Sequence, residues 1–494
     1  MTLQMAQLPL TKLYRPNLAL CGPSLTRRYT SLLSSKLNRT SIFRTSSYTH
    51  ARPLHSAPAW ASAAAVLKRK YENAPLPPTS ESPNTQEVQP VPLEHLPISR
   101  IDERKVVIGF DTEDWARFHH VWLRDHCRCP QCFHPVTKQR LFNTFDIPPD
   151  IKPTKVESKS TGLEVLWPSS HPHTSFYPWS WLKQHSYDPP LPQYQLPAPE
   201  KILWGSRIEQ FPPTVAYEDV MGGDDRGLYK WLSNVEKFGF SFVTGVPPTP
   251  EATEELSTRI GFIRETHYGK FWDFTSDLAK GDTAYTTLAL GAHTDNTYFT
   301  DPCGLQLFHL LSHTDGTGGQ TLLIDGFYVA SLLKELHPSA YDILSRVPVP
   351  AHAAGDPGCV YTTKQYPVLS HTGRDGKLTQ VRWNNDDRST MSHLSASEVE
   401  EWYDAIRVWN KHLTSPDSEY WVQLSPGTAV VVDNHRVLHG RSAFDGKRRM
   451  CGAYIGIDEY RSKLAVLKER FEAQANGDVV STDAGGRSVW SPYL

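Results

Sequence analysis

The apolar positions of this 494-residue chain fall into short runs with two distinct periods. In the first half, "RKVVIGF" (residues 104–110) and "GLEVLWP" (residues 162–168) read as strands. No long helical period separates them, so residues 98–190 are expected to form a small β-domain. Beyond residue 212 helical periods appear, in "GLYKWLSNVEKFG", "TPEATEELSTRIGFI", "YVASLLKELHPSAYDILSRV" and "SASEVEEWYDAIRVWNKHL". The second has Glu251 near its start and Gly261 near its end, as a capped helix should. Strand-like pieces lie among them: "CGLQLFHLL", "QTLLIDGF", "TQVRWN", "YWVQLSPGTAVVVDN" and "RRMCGAYIGI". Many short strands with turn signals predict a mainly β domain with flanking helices (α+β) over residues 212–475, closed or double-sheeted. No internal repeat is evident, and no apolar run has membrane-spanning length.

Two Pro-rich stretches punctuate the chain. "ENAPLPPTSESPNTQEVQPVP" reads as a linker at 73–97, and "DPPLPQYQLPAPE" opens a second at 191–211; residues 476–494 read as a tail. Composition changes the picture most at the amino terminus. Met1 to Tyr71 holds eleven Lys and Arg and no Asp or Glu. Scattered basic residues among Ser, Thr and Leu are the pattern of a mitochondrial presequence, here 1–72, and point to the matrix rather than to a basic tail for an anionic partner. Without that stretch, 40 basic side chains face 53 acidic ones, a net charge near −13, which argues against a nucleic-acid partner. Seven cysteines, an odd number and few, argue against a disulfide framework.

The candidate chemistry starts at "GAHTDNTYF". His293 and Asp295 are two residues apart, the period of a strand, so both would leave one face. Alone, a His-x-Asp pair is most often a solvated turn. Far downstream, "VVVDNHRVLHGRSAF" carries His439. Two imidazoles and one carboxylate make the facial triad that holds iron(II) and leaves positions open for a cosubstrate and O2. A jelly roll brings distant strand ends to one mouth, so the 146 residues between His293 and His439 are no obstacle. Arg448, nine residues past His439, would bind the far carboxylate of 2-oxoglutarate bidentately, with a hydroxyl from Thr321 beside it. On its own, Arg448 between Lys447 and Arg449 would read as a surface charge.

A second cluster, "RDHCRCPQCFH", gives Cys127, Cys129 and Cys132. Three thiolates at this spacing suit a structural zinc, which wants a fourth ligand; His126, His134, His171 and His173 are all in range. A small β-domain with little core would gain folding energy from the metal.

"HTD", "DGFYVA", "SPGTAVVVDNHRVLHGR" and "RRMCGAY" resemble the 2-oxoglutarate-dependent oxygenases of carnitine biosynthesis, the γ-butyrobetaine/trimethyllysine dioxygenase family, more distantly related to taurine dioxygenase. The resemblance spans about residues 98–472. It implies a double-stranded β-helix, iron at His293, Asp295 and His439, 2-oxoglutarate at Arg448, and ascorbate as reductant. It selects His171, in "WPSSH", as the fourth zinc ligand. It also implies an aromatic cage for a trimethylammonium group at Tyr268, Trp272, Tyr285 and Tyr454; such a cation has no N–H to donate. Within the family, "FTSD", "GDTAY", "CGLQLFH" and "GTGGQTLLIDGFY" look most like the branch that hydroxylates trimethyllysine at carbon 3, and Asp282 departs from the butyrobetaine branch. Asp277 is then expected to meet the α-ammonium, with Asn384 and Asn385 at the amino-acid end; a helix or turn cap is the plain alternative for Asp277. Butyrobetaine hydroxylation is the nearest competing function. A non-catalytic jelly roll and a zinc hydrolase are more remote. Family members of this kind are commonly homodimers.

Overall fold

The computed structural model describes residues 97–168, 173–195, 199–275, 286–372, 376–475 and 488–491. The expected presequence at 1–72 and all but the last residue of the first linker lie outside the described residues. Among the described residues no helix is long and apolar enough to cross a membrane.

The first domain repeats one plan. Its first antiparallel sheet contains Ile98–Ile101, Lys105–Gly109 and Trp115–His119; its second contains Lys155–Ser158, Gly162–Trp167 and His173–Pro178. Each leads into a six-residue helix, His120–Asp125 and Trp179–Gln184. The helices carry matching text, "WLRDH" and "WLKQH". In both, the imidazole stacks on the tryptophan four residues earlier, His126 on Trp122 at 4.3 Å and His185 on Trp181 at 4.5 Å between centroids. In both, Nδ1 bonds that tryptophan's carbonyl at 2.8 Å. This repeat was not expected from the sequence, because the strands share only their alternation. The two tryptophans meet at 5.4 Å and join a core with Val106, Ile108, Phe118, Leu163, Val165 and Tyr177. Trp490, within the expected tail, packs on Trp181 at 5.4 Å.

The second domain is a two-sheet sandwich. The major sheet orders Thr214–Ala216, Phe240–Thr244, Thr428–Asp433, Leu305–Thr314, Lys447–Ile455 and Phe271–Thr275; the minor sheet orders Leu290–His293, Val437–Arg441, Thr321–Asp325 and Tyr420–Val422. The interleaving of early and late strands in both sheets is the jelly-roll topology the motifs predict. Strand parity explains the layers. From "TAVVVD", Ala429 and Val431 meet the helices Arg226–Phe238, Pro250–Ile260 and Ile457–Ala475, while Val430 and Val432 face the inter-sheet core with Phe240, Phe308 and Leu323. On the minor sheet, Leu322, Ile324 and Leu438 face outward against the helices Gly326–Leu336, Pro338–Arg346 and Ala396–Leu413. Strands buried on both faces read as apolar runs, which is how "LLID" and "AVVV" appear.

Three sequence expectations need amendment. "YVASLLKELHPSAYDILSRV" is two helices, because Pro338 has no N–H to continue the first and instead opens the second. Trp204 falls in the expected second linker but is buried in the inter-sheet core, its amide donating to Asp325. The pair His293 and Asp295 does not share a strand face: the strand ends at His293, and Asp295 lies in the following turn, where Asn296 takes a left-handed φ of 57°.

Candidate active site and metal centres

His293 and His439 stand directly opposite on paired strands of the minor sheet, with ring centroids 4.5 Å apart. Asp295 reaches them from the turn. Its Oδ1 lies 3.2 Å from His293 Nε2 and 3.5 Å from His439 Nε2. Backbone clamps, not strand parity, bring it there. The Asn434 side chain accepts from the Asp295 amide at 2.7 Å and donates to the Asp295 carbonyl at 3.0 Å. Thr294 and Trp383 exchange two further bonds, and the buried Arg382 donates to the carbonyls of Phe299 and Thr300. The other carboxylate oxygen, Oδ2, accepts from the Tyr454 hydroxyl at 2.7 Å.

Electrostatics suit a cation. Burial resists charge on His293, but the Asp295 carboxylate prevails and lifts it to about 9. Burial likewise resists charge on Asp295, and His439 and His293 outweigh it, holding the carboxyl well below its ordinary range. Burial keeps His439 neutral. His293 Nδ1 bonds the Gly291 carbonyl at 2.8 Å, which fixes the ring with Nε2 toward Asp295. His293, Asp295 and His439 are therefore a group able to hold a metal ion.

All three line one cavity of about 1100 Å³, open at its mouth. Arg448 and Thr321 line it too, at the strand ends beside the triad. Arg448 is buried and stacks over Phe444 at 5.5 Å, and its Nε has no hydrogen-bond partner among the described residues. Burial lowers its pKa to about 10, and neighbouring Arg441 adds to this. An anion is what such a guanidinium lacks. Arg448, Met450 and Tyr454 alternate along one strand, so a single strand face runs from the guanidinium to the aromatic wall.

Tyr268, Trp272 and Tyr454 line the cavity, as the sequence resemblance implies. Tyr285 and Asp277 lie outside the described residues. Asn384 lines the cavity and donates to Asp387 at 2.8 Å. Asn385 does not line it; it is exposed, and its Oδ1 accepts from Arg388 at 3.5 Å. In "WNND" a turn begins, so neighbouring side chains diverge.

Several lining residues were not singled out by the sequence. Tyr298, buried, completes the wall, and its hydroxyl meets that of Tyr268 at 3.0 Å. It sits in "HTDNTYF", three residues past Asp295, so proximity was an available signal. Asp386 and Asp387 add carboxylates beside Asn384. Gln306 and Asn296 each bring a buried amide oxygen with no partner among the described residues; Asn296 directly follows Asp295, whereas nothing in the sequence marks Gln306.

The second cluster is closed. Cys127, Cys129 and Cys132 surround His173, whose Nε2 lies 3.3, 3.8 and 3.5 Å from the three Sγ atoms. Among the described residues the fourth member of the cluster is thus His173; His171, the expected ligand, lies outside them. His173 opens a strand paired at Trp167, and that register delivers its ring to the cysteine loop. The Cys127 thiol and Arg124 Nη1, 3.4 Å from Sγ, hold Cys132 at about 5, while burial keeps His173 neutral.

The chain matches two family models: Taurine catabolism dioxygenase TauD, TfdA family, over residues 199–454, and Gamma-butyrobetaine hydroxylase-like, N-terminal, over residues 99–183. It is 42% identical over 395 residues to a trimethyllysine dioxygenase of Meyerozyma guilliermondii, covering 75% of this chain and 97% of that protein. It is 42% identical over 355 residues to the human mitochondrial trimethyllysine dioxygenase, covering 71% and 83%. Human gamma-butyrobetaine dioxygenase is 31% identical over 375 residues, covering 74% and 95%. With both of its domains so matched, the chain belongs to the taurine catabolism dioxygenase TauD, TfdA family and, within it, to the trimethyllysine dioxygenases.

Proposed function

We propose that the protein hydroxylates N6,N6,N6-trimethyl-L-lysine at carbon 3 as an iron(II)- and 2-oxoglutarate-dependent dioxygenase. One observation carries the reading: a single cavity joins a two-histidine, one-carboxylate cluster, a buried arginine lacking an anion, and an aromatic wall. The donor set fits iron(II). Bound at His293, Asp295 and His439 with 2-oxoglutarate, iron supplies the oxidation of a C–H bond by O2, with succinate and carbon dioxide as coproducts. Arg448 binds the far carboxylate of 2-oxoglutarate, and Thr321 donates its hydroxyl to the same group. Tyr268, Trp272, Tyr298 and Tyr454 receive the trimethylammonium through their ring faces. Asn384, Asp386 and Asp387 receive the amino-acid end, where a carboxylate suits the α-ammonium that γ-butyrobetaine lacks. Asp277 and Tyr285 keep their proposed roles in ammonium and cage binding; Asn385 does not. The walls orient carbon 3 and exclude water.

Cys127, Cys129, Cys132 and His173 hold a structural zinc, with no position left for substrate. Ascorbate keeps the iron reduced, the protein works in the mitochondrial matrix, and two copies associate. These readings rest on the resemblance, and for location also on the names of mammalian relatives.

The test is mass spectrometry of purified protein incubated with iron(II), 2-oxoglutarate, O2 and either trimethyllysine or γ-butyrobetaine. The expected product is trimethyllysine plus one oxygen with matching succinate. Hydroxylation of γ-butyrobetaine alone would overturn the choice of substrate.

A further inference from the structure

We infer that Tyr454 is a positioning residue for the iron ligand Asp295 as well as a wall of the cation site. A carboxylate offers a metal two oxygens. If both bind, the second takes a position that the cosubstrate or O2 needs. Here the two oxygens of Asp295 are already distinguished. Oδ1 faces both imidazoles, at 3.2 and 3.5 Å. Oδ2 turns away and accepts from the Tyr454 hydroxyl at 2.7 Å. That bond is short, part-buried and charge-assisted, so it resists rotation of the carboxylate.

Tyr454 is itself fixed. Its strand pairs with Leu305–Thr314 on one side and Phe271–Thr275 on the other, and its ring lies 6.4 Å from Trp272. The hydroxyl therefore cannot follow a rotating carboxylate. One side chain thus presents its ring to the substrate cation and its oxygen to the metal ligand. The Asn434 clamp on the Asp295 backbone leaves the carboxylate torsion as the remaining freedom, and Tyr454 removes it.

The inference rests on the iron reading above, and its test separates the two. Tyr454→Phe keeps the ring and deletes the hydroxyl; Tyr454→Leu deletes both. Full-length protein is titrated anaerobically with iron(II) in excess 2-oxoglutarate, following the visible absorption of the iron–2-oxoglutarate chelate. Tyr454→Phe is expected to weaken iron(II) binding about tenfold, the usual effect of losing a hydrogen bond to a metal ligand, with the zinc content unchanged. Its apparent KM for trimethyllysine stays within about threefold, while the fraction of 2-oxoglutarate turnover not matched by hydroxylation rises. Tyr454→Leu weakens iron binding equally and raises the KM as well. Iron(II) titrations that coincide for wild type and Tyr454→Phe overturn the inference. Failure of the wild type to develop the band overturns the iron reading instead.

Discussion

The two metal-ligating clusters of this chain are built on opposite plans. The proposed zinc cluster takes three of its donors from six consecutive residues, Cys127 to Cys132, and its fourth from the adjoining sheet. Its four donors close a shell around one point. The iron cluster takes its donors from a strand end, a turn and a distant strand, has one donor fewer, and opens into a cavity. A closed shell contributes folding energy; an open one leaves places for reactants. The supporting residues differ in the same sense. Around the cysteines, Arg124 Nη1 lies 3.4 Å from Cys132 Sγ, and Arg128, between two of them, lies over the Trp181 ring. Around the triad, Arg448, Gln306 and Asn296 keep buried polar atoms without partners among the described residues, a cost a protein sustains where ligands supply them.

The sharpest break of this comparison is His439→Ala. It is expected to abolish trimethyllysine hydroxylation while leaving the thermal transition and zinc content near wild type, as measured by product mass spectrometry and calorimetry. A collapse of the fold would place His439 in the structural class. Cys132→Ala is the reciprocal change. It is expected to remove zinc and destabilise the first domain by more than about 4 kcal/mol, a loss confined to changes such as removing a metal site. Chemical denaturation and metal analysis read the outcome; an unchanged midpoint would mean the cluster is not structural. Arg448→Lys keeps the charge and loses the fork. The apparent KM for 2-oxoglutarate should rise about 10- to 100-fold, the equivalent of one charged hydrogen bond, with little change in the KM for trimethyllysine. The smallest effect is expected at Tyr298→Phe, which deletes the hydroxyl contact to Tyr268 at 3.0 Å. Steady-state kinetics should show a KM for trimethyllysine raised by less than about tenfold and an unchanged KM for 2-oxoglutarate. A larger shift for 2-oxoglutarate would mean that the wall serves the cosubstrate.

How far each site was legible follows from its construction. The cysteine spacing is local, so "CRCPQC" announces itself, and only the fourth ligand depended on the pairing of His173 with Trp167. The proposed iron ligands were singled out by residue type and motif, but the parity argument for His293 and Asp295 fails because the strand stops between them. Arg448 looked like one of three surface cations and is buried, because alternation sends it inward between exposed Lys447 and Arg449. Asn434 and Arg382, which fix the Asp295 turn, were passed over, since nothing in "VDNHR" or "TQVRWN" marks what lies across the molecule.

The sequence by itself determined most element types, and it marked most of the residues that gather in the two His/Cys/Asp clusters and several aromatics that line the cavity. These depend on alternation, spacing and side-chain chemistry, which are local. The tertiary structure alone decided which oxygen of Asp295 faces the imidazoles, which histidine joins the cysteines, and that Tyr298, Gln306, Asp386 and Asp387 share the cavity with Arg448. Those outcomes depend on strand register and inter-sheet packing, which bring together residues from tens to more than a hundred positions apart, and no single segment carries that information.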